Sequence, residues 1–177
     1  KMMKLLSDSL YSDKIRAVIR ELSTNAWDSH VMASNPVKFD VHLPTPHDLT
    51  FRIRDYGTGM SPEDIEHMYN TYGASDKNET NELQGCMGLG SKSPFAYTDS
   101  FVTISYYEGQ KYTWVNAKDE RGIPSLLRYD PEPTNEPNGL EISFACRKND
   151  VDEFAQKAAL VYRPFPVHPN FVSVGPP

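Results

Sequence analysis

Cysteine is scarce in this chain, with Cys86 and Cys146 the two residues in 177. They allow at most one disulfide, stand at no metal-ligand or redox spacing, and fit a reducing compartment most simply. No apolar run approaches the ~20 residues of a membrane-crossing helix. The opening Lys1-Met2-Met3-Lys4-Leu5-Leu6 has too short an apolar core for a signal peptide. Cations are in the minority, 18 Lys and Arg against 24 Asp and Glu, which gives a net charge of -6. That balance argues against a domain-wide nucleic-acid footprint and leaves room only for a local basic patch. His30, His42, His47, His67 and His168 are scattered without metal spacing and read as surface or core histidines. Repeats and low-complexity tracts are absent from the sequence.

An apolar fraction of 38% and a charged fraction of 24% are globular values, and the length suits about one domain with a full core. The abrupt ends, Lys1 and Gly175-Pro176-Pro177, give the expectation of a piece of a longer protein. The chain is organised around a helix expected from Ser12 to Ala33, in which Ile15, Val18, Ile19, Leu22 and Ala26 recur with helical period. Roughly a quarter-turn away, Glu21, Asn25 and Asp28 follow at i, i+4 and i+7. A carboxylate, an amide and a second carboxylate therefore stack in line at the edge of the buried surface. A solvated polar edge is the plain alternative.

Lys4 to Leu10 suits a short helical or strap-like segment, and Asn35-Pro36 is expected to end the main helix. Val37–Leu43 and Leu49–Arg54 alternate apolar with polar and read as strands. Ser61-Pro62-Glu63-Asp64 is a helix start, with a capping serine, proline at the first helical position and acids in the first turn. Asn70 to Gln84 is polar and irregular, a long loop of the kind that serves as a lid. Strands are expected at Ser100–Tyr107, Lys111–Ala117, Ser125–Tyr129 and Leu140–Ala145. Glu108-Gly109 reads as a hairpin turn, Arg121-Gly122 as a looser one, and Pro131 to Pro137 as a connection. Asn149 to Tyr162 closes the chain as a helix. The order predicts an α+β two-layer sandwich with a mixed, mostly antiparallel sheet.

Two glycine segments carry the chemistry. In Asp55-Tyr56-Gly57-Thr58-Gly59-Met60, an acid at a strand end precedes two glycines that permit close backbone approach. In Gly85-Cys86-Met87-Gly88-Leu89-Gly90-Ser91-Lys92-Ser93, a G-x-x-G-x-G pattern leads toward a short helix ending near Ala96. Amide groups beside a lysine there suit a phosphate. This loop is neither a P-loop nor a dinucleotide-binding fingerprint.

The ordered combination, Glu-x-x-x-Asn-x-x-Asp on a helix, then Asp-x-Gly-x-Gly, then Gly-x-x-Gly-x-Gly, resembles the GHKL ATPases of the Bergerat fold. Lys14–Leu22, Arg54–Ser61, Gly88–Phe95, Tyr97–Phe101 and Tyr162–Phe165 further resemble the amino-terminal domain of bacteriophage rIIA-like proteins, which are linked to protection against rapid lysis. The superfamily motifs span Glu21 to Gly90, and the rIIA-like similarity covers nearly the whole chain.

The resemblance implies ATP and Mg²⁺ as cofactors and residues 1–177 as a single ATP-binding domain. Glu21 resembles the general base acting on the attacking water, Asn25 the Mg²⁺ ligand, and Asp28 the acid bracing this region. Asp55 resembles the carboxylate that accepts from the adenine amino group, a contact guanine cannot make. Gly57, Gly59 and Met60 resemble the base and sugar wall. Gly85, Gly88, Leu89, Gly90 and Ser91 resemble the lid's phosphate-binding turn, and Lys77 and Lys92 are phosphate partners or solvated charges.

Two departures stand out. Leu140, in Asn138-Gly139-Leu140, occupies the position where many members carry threonine beside the adenine. Nothing after Tyr162 resembles the domain that brings a catalytic lysine to the γ-phosphate in gyrase-like members, so the fragment is expected to bind nucleotide better than it hydrolyses it. The alternatives are a histidine-kinase-type catalytic domain, or a nucleotide-binding interaction module without turnover. For partners, the resemblance implies ATP or ADP, a homodimer or an rIIB-like protein, and peripheral membrane association of the full-length protein. The implied location is the cytoplasm of the infected host, at or near the inner membrane.

Overall fold

The structure, a computed structural model, describes residues 13–70 and 90–173. Helix α1 (Lys14–Met32) buries Ile15, Val18, Ile19, Leu22 and Ala26, the apolar stripe expected from their spacing. Its first turn is capped by Asp13, which accepts from the Arg16 amide at 3.3 Å. Its end is not made by Asn35-Pro36. Ser34 turns left-handed at φ 52°, its amide reaches the Val31 carbonyl at 3.1 Å, and the Asn35 amide reaches the His30 carbonyl at 2.9 Å. This paired closure normally carries glycine at the left-handed residue. Ser34→Gly should therefore relieve ~1–2 kcal/mol of backbone strain against ~0.5–1 kcal/mol of added unfolded-state entropy. A thermal melt about 1–3 °C higher is the expected result.

Helix α2 (Pro62–Asn70) starts where the serine and proline placed it, with Ser61 Oγ accepting from the Asp64 amide at 3.2 Å. A 3-10 helix (Gly90–Ala96) follows the glycine-rich stretch, and it contains Pro94. It is 3-10 rather than α, and it ends at Ala96 as expected. Helix α3 (Val151–Tyr162) is preceded by a 3-10 turn (Lys148–Asp150), so the α-helical part begins two residues later than the sequence suggested. Lys157 of α3 reaches Asp13 at 2.5 Å and ties the last helix to the start of the first.

Among the described residues eight strands form one sheet: β1 (Asp40–His42), β2 (Thr50–Arg54), β3 (Ser100–Tyr107), β4 (Gln110–Lys118), β5 (Pro124–Arg128), β6 (Glu132–Pro133), β7 (Gly139–Ala145) and β8 (Asn170–Phe171). The order is β5-β4-β3-β7-β2-β1-β8, with β6 also paired to β4. Only β1 with β8 is parallel among these pairs. The mixed, mostly antiparallel α+β sandwich is thus as expected. The hairpin between β3 and β4 turns through Glu108 and Gly109, both at positive φ, as their sequence suggested.

Three departures are local. Val37 to Leu43 is extended as a strand only over Asp40–His42, with Val37 exposed. The Pro131–Pro137 connection contains the two-residue β6, and β8 was not anticipated at all. Strands this short carry no periodicity to read; neighbouring backbone defines them. Lys4–Leu10 and residues 71–84 of the expected lid lie outside the described residues.

Phe51 and Ile53 of β2, Phe101 and Trp114 of β3 and β4, and Ile142 and Phe144 of β7 join the apolar faces of α1 and α3 in one core. Each fully buried aromatic or aliphatic side chain stabilises the sandwich by roughly 1.5–3 kcal/mol. The register has one consequence for function. Arg54 lies opposite Glu141, so Asp55, the next residue along, leaves the sheet beside Leu140.

Candidate functional site

Between α1, the end of β2 and α2 lies a narrow cleft, partly open to solvent. Asn25, Asp28 and Ser29 of α1 line it, with Asp55, Met60, Ser91 and Leu140. Asn25 and Asp28 of the helical stripe therefore share a cleft with the acid at the strand end, although Asn25 and Asp55 are 30 positions apart. Glu21, Asn25 and Asp28 are all half-buried, at the edge of the helix's buried surface. Glu21 differs from the other two: it is outside the cleft lining, 44% exposed, with Arg20 at 3.7 Å. An ion pair that open contributes little.

Asp55 is the most constrained member. It is 6% exposed, and its Oδ1 accepts from the Gly57 amide at 3.0 Å and from the Leu140 amide at 3.2 Å. Its own amide donates to the Leu140 carbonyl at 2.8 Å. Burial pushes the carboxyl above its ordinary range, against the pull of those two amides. Among the described residues the hydrogen bonds to this carboxyl all fall on Oδ1, which leaves Oδ2 as the acceptor for a ligand. The Leu140 side chain replaces an expected threonine, but the anchoring of Asp55 uses only Leu140 backbone.

The turn after Asp55 is held by side chains rather than by sheet. Tyr56 donates its amide to His30 Nε2 at 2.8 Å, and its carbonyl accepts from Asn35 Nδ2 at 2.8 Å. The Tyr56 hydroxyl donates to Asp40. Gly57 packs on α1 so closely that a Cβ there would stand 2.8 Å from the Ser29 Cβ. Gly59 follows, and Ser105 Oγ clips Met60 by accepting from its amide at 3.1 Å and donating to its carbonyl at 2.6 Å. Beneath the cleft, Tyr69 and Thr103 hydroxyls lie 2.7 Å apart, and Asn116 Nδ2 donates to Thr103 at 3.2 Å.

Arg54, 6% exposed, lies between the rings of Tyr56 and Tyr106 at 4.4 and 4.2 Å and donates to the carbonyls of Asp55 and Pro137. It pins β2 to the segment entering β7. At that junction Gly139 adopts φ 147°, and a Cβ would fall 2.0 Å from the Asp55 carbonyl oxygen. Gly139→Ala should cost ~3 kcal/mol or more, since strain and overlap add. A lower denaturant midpoint is the measurement.

Ser91 reaches the cleft from the 3-10 helix; Lys92 beside it is half-buried and lies outside the lining, its pKa lowered by burial. Gly90 opens that helix. Lys77, Gly85, Gly88 and Leu89 lie outside the described residues. His30, Arg54, Asn35 and Ser105 were missed as functional residues. For His30 a signal existed: Leu22, Ala26 and His30 stand at i, i+4 and i+8, so the histidine falls on the buried face and needs a partner there. Arg54 and Ser105 show no comparable pattern.

Among the described residues no group of three or more His, Cys, Asp or Glu could hold a metal ion. A cation in this cleft would have Asn25 and a ligand's own oxygens, which suits Mg²⁺ because it binds through few protein groups. No helix among the described residues is long and apolar enough to cross a membrane.

Residues 11–124 match the family described as histidine kinase-, DNA gyrase B- and HSP90-like ATPase. The chain is 27% identical over 188 residues to heat shock protein 90-5, chloroplastic, of Arabidopsis thaliana, covering 90% of this chain and 24% of that protein. It is 28% identical over 153 residues to the chaperone protein HtpG of Treponema denticola, covering 73% of this chain and 24% of the relative. An endoplasmin homolog of Dictyostelium discoideum is 25% identical over 189 residues, covering 90% and 23%. The chain thus spans about a quarter of the length of these curated relatives. With its motif helix and its strand-end acid meeting in one cleft on a mixed α+β sandwich, and with the family match running through both, the chain belongs to the histidine kinase-, DNA gyrase B- and HSP90-like (GHKL) ATPases.

Proposed function

We propose that the chain binds ATP with Mg²⁺ in the cleft between α1 and the Asp55 turn and hydrolyses it slowly. The observation that carries this reading is Asp55 itself: a buried carboxyl with Oδ1 held by two amides and Oδ2 left to the cleft. That is an acceptor set to read a ligand N–H such as the adenine amino group. Met60 and Leu140 offer apolar walls for the base, and Asn25 offers the amide oxygen for the ion. Bound Mg²⁺ supplies neutralisation of the phosphate charge. Asp28 braces the helix edge, Ser91 approaches from the phosphate-side turn, and Glu21 accepts the proton of the attacking water at its carboxylate. Lys77, Gly85, Gly88, Leu89, Gly90 and Lys92 complete the phosphate side in this reading.

The finer assignment is to a phage rIIA-like protein that protects against rapid lysis. It is supported by Lys14–Leu22, Arg54–Ser61, Gly88–Phe95, Tyr97–Phe101 and Tyr162–Phe165. In that reading residues 1–177 are the nucleotide domain of a longer protein, in the host cytoplasm or at the inner membrane, with a second copy or an rIIB-like protein as partner. A binding module without turnover is the second reading, favoured by the exposure of Glu21 and its place outside the cleft lining.

Calorimetry with ATP, ADP and a non-hydrolysable ATP analogue, each with and without Mg²⁺, tests the first reading. Saturable binding strengthened by Mg²⁺ supports it, and no heat with any of the three overturns it. Earlier lysis by a phage lacking this protein would support the finer assignment, and unchanged lysis timing would remove it.

A further inference from the structure

We infer that His30 is a positioning residue that holds the base-reading turn in place, and that it does so only as a neutral ring. The inference rests on the nucleotide reading of the cleft and adds a residue to it. His30 sits near the end of α1, 1% exposed, with its ring edge-on to Phe39 and Tyr56. Its Nε2 accepts the Tyr56 amide at 2.8 Å, one residue after Asp55. A ring nitrogen that accepts carries no proton, so the neutral ring has its proton on Nδ1. That Nδ1 is buried without a hydrogen-bond partner. The arrangement tolerates an orphaned polar atom in order to keep an acceptor on Tyr56.

The geometry explains why the acceptor matters. Tyr56 lies between Asp55, whose Oδ1 accepts from Gly57, and Gly57, which is packed on Ser29. If the Tyr56 amide loses its partner, a donor facing the buried side chain at position 30 is left unsatisfied and the turn is free to rotate away from α1. The carboxyl of Asp55 then loses its fixed aim. Protonation of His30 would turn Nε2 into a donor facing another donor, so a charged ring cannot hold the turn.

Two variants separate this role from bulk packing. His30→Gln places an acceptor oxygen the same number of bonds from Cβ without a titrating group. His30→Leu fills the space and offers no acceptor. The first readout needs no nucleotide: the hydrogen-exchange protection factor of the Tyr56 amide at pH 8. The parent and H30Q should be protected there, and H30L should be unprotected. The second readout is affinity for a non-hydrolysable ATP analogue in the same buffer. H30L should bind about tenfold more weakly than the parent, and H30Q should bind about as tightly as the parent.

Equal Tyr56 protection in the parent and H30L at pH 8 would overturn the positioning role, and a ring-nitrogen NMR spectrum with the proton on Nε2 rather than on Nδ1 would overturn the neutral-ring acceptor. If H30L does not fold, the ring-nitrogen spectrum decides the matter. If the parent binds no nucleotide while Tyr56 protection follows the expected pattern, the nucleotide reading fails and the structural role of His30 stands.

Discussion

Replacing Glu21 with alanine should lower ATP turnover by about 10²–10⁴-fold while leaving nucleotide affinity close to that of the parent. A carboxylate near a phosphate helps only by taking a proton from water; in the ground state it repels the ligand's charge. The structure sharpens the expectation, because Glu21 is outside the cleft lining and 44% exposed. Its removal leaves the cleft walls and the core of α1 unchanged. Asn25→Ala is the contrasting variant one turn further along. It removes an amide oxygen that lines the cleft and can ligate the ion neutralising the phosphates. Affinity should then no longer respond to Mg²⁺. Turnover and affinity of both variants, with and without Mg²⁺, make the test, using the intact protein. Parent-like turnover in Glu21→Ala would remove it as the base and favour the binding-only module.

Asp55→Asn should weaken ATP binding by about ten- to a hundredfold without harming the fold. The asparagine oxygen can take the place of Oδ1 and accept from Gly57 and Leu140 as before. The amide nitrogen then takes the place of Oδ2, so a donor faces the adenine amino group where an acceptor stood. Stability moves the other way. Burial raises the carboxyl's pKa in the folded state, so its contribution is fully present at acid pH and is lost as pH rises through that folded value. Above that folded value the neutral amide avoids burying a charge. The variant should melt no lower than the parent there, and the difference should shrink toward acid pH. Melting curves at two pH values accompany the titrations. Unchanged ATP affinity in a normally folded variant would sink the assignment of Asp55.

Local periodicity made much of this protein legible in its sequence. The spacing of Ile15, Val18, Ile19, Leu22 and Ala26 defines α1 and its buried face, and the same period puts Glu21, Asn25 and Asp28 on the edge of that face. Alternation defines β2 to within a residue, and the serine and proline at 61 and 62 define the start of α2. These features are legible because helix and strand geometry depend on neighbours a few residues away. Asp55 was identifiable for the same reason, as an acid between a strand end and two glycines.

What holds Asp55 in its working position was decided by tertiary structure alone. Its two anchoring amides come from Gly57, two residues away, and Leu140, 85 residues away. The acceptor for Tyr56 comes from His30, the clip on Met60 from Ser105, and the carbonyls that satisfy Arg54 include Pro137. The exposure of Glu21 beside the burial of Asp55, and the pairing of two-residue β8 with β1, belong to the same class. Each depends on which segments the core brings together, and a buried donor or acceptor must then find whatever partner that packing supplies.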